Sequence, residues 1–139
     1  MKDIKEYINE STGTQNNLNE KDVYKISNEL YESDEYSGFR KGISTEEIDI
    51  NKFQSSYTYS KENDYKEFKD KVEKEAKSRK LNKIVIIDGD GYGGRWAMVA
   101  FFNTKPYEYM IYDSYCGCSE LMSSKTEPDA IDDILGFVE

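Results

Sequence analysis

IVIIDGDGYGGRWAMVAFFNTKPYEYMIY, residues 84 to 112, is the stretch whose reading decides the fold. Two apolar runs, Ile84 to Ile87 and Trp96 to Phe102, flank a glycine-rich connection. A third run, Tyr107 to Tyr112, follows the turn Asn103-Thr104-Lys105-Pro106. The first two runs are continuous rather than alternating, which is the pattern of strands buried on both faces, so they belong at the centre of a sheet with helices on at least one side. Glu108 among the aromatics of the third run fits a half-exposed strand. Short connections between the three make an antiparallel meander.

The connection itself holds Gly89, Gly91 and Gly94, which match G-x-G-x-x-G. A dinucleotide loop needs its third glycine to open a helix whose free N–H groups receive the pyrophosphate. Gly94 opens the β-rich run Arg-Trp-Ala-Met-Val-Ala-Phe-Phe instead, so the dinucleotide reading fails. A kinase-type glycine loop lies between strands, but HRD cannot occur without histidine, DFG is absent, and the next strand carries no lysine. A calcium loop would begin at Asp88 and Asp90, yet Tyr92 stands at its fifth position and Val99 where the bidentate glutamate is required. What remains is a hairpin tip whose glycines supply positive φ. Asp88, Asp90, Tyr92 and Arg95 then project from a loop mounted on two stiff strands, a favourable place for recognition.

Outward from this centre, helical spacing predicts a short first helix over residues 3 to 10 and a second from the Asn19 cap to about Ser33, with Val23, Ile26 and Leu30 on one face. Residues 34 to 52 have no sustained period and read as a long connection, and Phe53 to Tyr59 as a weak strand through Tyr57 and Tyr59. From a Ser60 cap to about Lys80, Tyr65, Phe68, Val72 and Ala76 form the stripe of an amphipathic helix, with Lys66, Lys69, Asp70, Glu73 and Lys77 on its solvated side. Thr126 and Pro128 start a C-terminal helix whose stripe is Ile131, Ile134, Leu135 and Val138. The expected fold is α+β: one domain over residues 1–139, a three- or four-stranded antiparallel meander, an amphipathic helix on it, two N-terminal helices and a C-terminal helix.

Composition narrows the function. The 139 residues include no histidine, which removes the usual serine and cysteine triads, HExxH metalloproteases, HxE deaminases and histidine-based nucleases. Neither catalysis nor a cofactor is expected, although Asp88, Asp90 and Asp113 around Mg²⁺ remain an alternative carboxylate-based enzyme. Cys116 and Cys118 are too closely spaced for an ordinary unstrained disulfide and are expected as free thiols, since a zinc site would have to recruit carboxylates such as Asp113 or Glu120. No apolar run reaches membrane-spanning length and the start lacks the apolar core of a secretory signal, so a cytoplasmic protein without membrane contact is expected.

Net charge is −9, from 19 basic and 28 acidic residues, and it is uneven. Residues 107 to 139 hold eight acids against Lys125 alone, and residues 20 to 49 hold nine acids against four bases, whereas residues 61 to 83 hold nine bases against six acids. Such a surface repels nucleic acid and attracts basic proteins, including those that themselves bind nucleic acid. In size and charge the chain resembles the small acidic inhibitors that phages and mobile elements direct at host nucleases, the anti-CRISPR and antirestriction proteins. The resemblance implies a DNA-mimicking inhibitor that blocks a basic nucleic-acid-binding surface. An immunity protein that neutralises a cognate toxin would present the same features. The expected partner-binding residues are Asp34, Glu35 and Tyr36 in one cluster and Asp88, Asp90, Tyr92 and Arg95 at the hairpin tip, with Tyr36 and Tyr92 as anchors.

Overall fold

The computed structural model describes residues 17–32, 37–57 and 62–138. The helix expected over residues 3 to 10 and the cluster Asp34, Glu35 and Tyr36 lie outside them. The elements run α1 (Glu20–Tyr31), β1 (Gly42–Asp49), α2 (Ile50–Ser56), α3 (Asn63–Ser78), β2 (Lys83–Asp90), β3 (Trp96–Thr104), β4 (Tyr107–Asp113), β5 (Cys118–Ser124) and α4 (Glu127–Val138). The fold is α+β, with the five strands in the order β1-β2-β3-β4-β5 and every neighbouring pair antiparallel.

Strands alternate their side chains between two faces, and both faces of this sheet are covered. On one face Ile84, Ile86, Met98, Ala100, Met110 and Tyr112 pack against Phe53 of α2 and Tyr65, Phe68, Val72 and Ala76 of α3. On the other, Val85, Ile87, Val99, Phe101, Tyr109 and Ile111 pack against Val23, Ile26 and Leu30 of α1 and Ala130, Ile134 and Val138 of α4. Double coverage is why β2 and β3 read as unbroken apolar runs. The caps behave as their residue types require: the Asn19 side chain accepts from the Lys21 N–H at 2.9 Å, and Thr126 Oγ1 from the Asp129 N–H at 3.2 Å.

Three stretches differ from expectation. The supposed connection over residues 34 to 52 contains β1, an acid-rich edge strand that runs in register with β2 from Gly42↔Asp90 to Asp49↔Lys83. The supposed strand over Phe53 to Tyr59 is helical as far as Ser56, because Asp49 caps α2 through the Asn51 N–H at 2.8 Å and Ile50 and Phe53 bury one helical turn apart. A fifth strand, β5, completes the meander beyond the three or four expected. Lys69, expected on the solvated side of α3, is only 5% exposed. Its ammonium donates to the Gln54 and Tyr57 carbonyls, which compensate the burial of its charge. Among the described residues no helix is long and apolar enough to cross a membrane.

Candidate functional site

The end of the sheet where β2 passes into β3 gathers most of the polar residues marked by the sequence. Asp88 and Asp90 are two residues apart on β2, so both stand on the α2/α3 face, beyond the ring of side chains that those helices cover. Opposite them across β1 are Ser44 and Gly42, and across β3 are Met98 and Trp96. The space between is a cavity of about 340 Å³ lined by Gly42, Ile43, Ser44, Asp88, Gly89, Asp90 and Trp96. Trp96 forms a firm wall, because its ring lies 5.0 Å from Tyr65 edge-on and 5.1 Å from Tyr112. Two residues beyond Ser44 on β1, Glu46 Oε1 accepts from the Tyr57 hydroxyl at 2.9 Å. Burial and that hydrogen bond to a carboxylate both push the phenol up from its ordinary range.

Asp88 is the least comfortable group of the site. Partial burial, with the negative charges of Asp90 and Glu46 adding to it, pushes its carboxyl up from 3.8 to about 7. Among the described residues no side chain donates a hydrogen bond to it and no cation pairs with it. Asp90, beside it, is exposed.

The connection Gly91 to Arg95 is a hairpin tip, built as a single 3-10 turn over Tyr92–Gly94. Its glycines divide into two kinds. Gly93 and Gly94 have φ of 71° and 82°, which is the positive-φ role expected of them. Gly89 and Gly91 are needed for another reason, the close approach of the segment Ser37–Phe39. A Cβ on Gly89 would stand 2.3 Å from Phe39 Cδ1, and one on Gly91 would stand 2.5 Å from the Ser37 carbonyl oxygen. The G-x-G pattern is therefore a packing seam between β2 and the segment leading into β1.

Tyr92 stands out from the tip, 63% exposed. Arg95 does not project. Its Nη2 donates to Asp113 Oδ2 at 2.8 Å and its Nε to Asp113 Oδ1 at 3.2 Å, a bidentate pair with the Asp113 side chain only 3% exposed. The guanidinium also lies 5.0 Å from the ring centre of Tyr115, which is itself 78% exposed. Asp113 pairs in register with Ala97, on the α1/α4 face, so it cannot join Asp88 and Asp90 in a common site. Among the described residues no group of three or more Asp, Glu, Cys or His side chains is placed to hold a metal ion.

The cysteines also differ from expectation. Cys116 and Cys118, read as free thiols, are joined as a disulfide across the β4–β5 turn. Gly117, at φ 67°, folds the turn back on itself and brings the two Cα atoms to 5.2 Å, within bridging distance.

Ser44, Glu46, Tyr57, Trp96 and Tyr115 complete this end of the sheet and were not marked by the sequence. Ser44 and Glu46 depend on β1 pairing with β2, and no local pattern announces that pairing. No family model matches the chain, and no curated protein or solved structure matches it either.

Proposed function

We propose that this chain is a small acidic protein-binding inhibitor, of the anti-CRISPR or antirestriction type, that engages a basic nucleic-acid-binding surface through the cavity end of its sheet. The observation that carries the reading is Asp88, a carboxylate set in a cavity and paired with no cation among the described residues. A lysine or arginine side chain of a partner entering beside Trp96 would restore the ionised form of Asp88, and its charge would lie against the indole face. Asp90 at the rim adds attraction, and Tyr92 supplies aromatic area that loses little conformational freedom on binding. Basic side chains clustered for phosphate contact are the natural counterpart of such a surface. The net charge of −9 supports steering toward it.

Affinity capture from a host lysate, followed by an activity assay on the retained protein, tests this. The wild-type protein should retain a basic nuclease, suppress its cleavage of nucleic acid and release it as salt is raised. The combined variant Asp88→Asn, Asp90→Lys should retain none. Retention of a cognate toxin would assign the immunity role instead. Retention indifferent to both salt and substitution would remove the electrostatic mechanism.

A further inference from the structure

The chain contains two cysteines, and both stand exposed at the β4–β5 turn. Their bond closes a loop of only three residues, Cys116 to Cys118. Closing so short a loop removes little entropy from the unfolded chain, so the bond is a weak staple. The turn is moreover held without it. The β4–β5 ladder runs from Tyr107↔Ser124 to Asp113↔Cys118, the Gly117 N–H donates to the Asp113 carbonyl at 2.9 Å, and the Ser114 N–H donates to the Trp96 carbonyl at 3.0 Å. A bond that contributes little to the fold and lies open to solvent has the character of a reversible disulfide.

We propose that Cys116 and Cys118 form a redox-active dithiol–disulfide site that exchanges with low-molecular-weight thiols of the glutathione class. In reduction, a glutathione thiolate attacks one cysteine sulfur. The S–S bond breaks, the other cysteine leaves as a thiolate and takes a proton from water, and a mixed disulfide remains. A second glutathione thiolate attacks the glutathione sulfur of that mixed disulfide, forming oxidised glutathione and releasing the first cysteine, which is protonated in turn. Two electrons pass from two glutathione molecules to the protein, and oxidation runs the same steps backward. The site is separate from the Asp88 cavity and does not depend on the function proposed for it. Its turn carries Tyr115, which lies against Arg95.

The intact protein, equilibrated in glutathione buffers from fully oxidised to fully reduced and quenched with an alkylating agent, should pass from no alkylated thiols to two in a single two-electron transition. Intact mass gives the count. The variant Cys116→Ser in oxidised glutathione should carry one glutathione on Cys118 and form no ring. The double variant Cys116→Ser, Cys118→Ser should retain the wild-type circular dichroism. Two alkylated thiols in every buffer, or none in every buffer, overturns the proposal. So does a double variant that fails to fold, since the bond would then be a structural staple.

Discussion

Asp88→Asn should stabilise the protein, and only above acidic pH. The Asp88 carboxyl is ordinary at 3.8 in the unfolded chain and is held at about 7 in the fold. The folded state therefore binds the proton more tightly. The stabilisation from protonated Asp88 is full below pH 3.8, is lost progressively as pH rises, and is gone above about pH 7. Each pH unit between the two values is worth about 1.4 kcal/mol, which bounds the cost of ionised Asp88 at about 4 kcal/mol. The cavity is open to water, and screening there reduces the figure to about 2 kcal/mol. Asparagine keeps the shape and removes the charge, so the variant should gain about 2 kcal/mol at pH 8 and nothing near pH 4. With an unfolding entropy of about 2.1 cal/mol/K per residue over 139 residues, that gain raises the melting temperature by about 7 °C. Thermal unfolding of both proteins followed by circular dichroism, at half-unit steps from pH 4 to pH 8, measures it. Asp90, Glu46 and Tyr57 are unchanged in both, so the difference between the curves isolates Asp88. Equal melting temperatures at pH 8, or an advantage that persists undiminished at pH 4, would refute the account of Asp88 as a desolvated and unpaired acid.

Gly89→Ala should cost about 2 to 3 kcal/mol in urea unfolding, since the new Cβ meets Phe39 Cδ1 at 2.3 Å and the Gly38 carbonyl oxygen at 2.7 Å. Gly42→Ala, with nothing within 4 Å of its Cβ, should be neutral or mildly stabilising, and equal losses at the two positions would show that the Ser37–Phe39 seam is not what β2 requires. Arg95→Ala should cost about 3 kcal/mol by leaving the Asp113 carboxylate, 3% exposed, without its cation. The paired Arg95→Met, Asp113→Leu variant should recover most of that loss in the same denaturation assay, and failure to do so would place the cost in packing rather than charge. Tyr92→Ala should leave unfolding within about 0.5 kcal/mol of wild type while weakening the captured partner about thirtyfold by calorimetry, and unchanged affinity would remove Tyr92 as an anchor.

Elements that bury a continuous apolar face are legible in the sequence alone. The stripe Val23, Ile26 and Leu30, the stripe Tyr65, Phe68, Val72 and Ala76, and the C-terminal helix each repeat at helical spacing, and all three pack where the spacing puts them. Of the C-terminal stripe, Ile131 and Leu135 are only partly buried, while Ala130 joins the core. The runs of β2 and β3 are equally plain, because a strand covered on both sides has no solvent face to break its apolar run, whereas β4, expected to be half-exposed because of Glu108, is buried at every position but that one. Tyr92 falls at the hairpin tip for the same reason, whereas Asp88 and Asp90, expected to project from that loop, belong to the ladder of β2.

The edges of the sheet and the direction of single side chains depend on contacts distant in sequence. β1, GISTEEID, and β5, CSELMSS, contain too few apolar residues to announce themselves, and they are strands because β2 and β4 offer them backbone partners. The cavity follows from that pairing, since Ser44 and Gly42 meet Asp88 and Asp90 only once β1 is in register. Gly89 and Gly91 look locally like turn glycines, and only the approach of Ser37–Phe39 shows that one lacks a Cβ to admit a ring and the other to admit a carbonyl. Arg95 turns inward because the β3–β4 register sets Asp113 within reach, and Lys69 is buried because α2 supplies the carbonyls that its ammonium needs. Periodicity records which face of a segment is dry, whereas the partner of a charge is set by residues that the chain brings together only on folding.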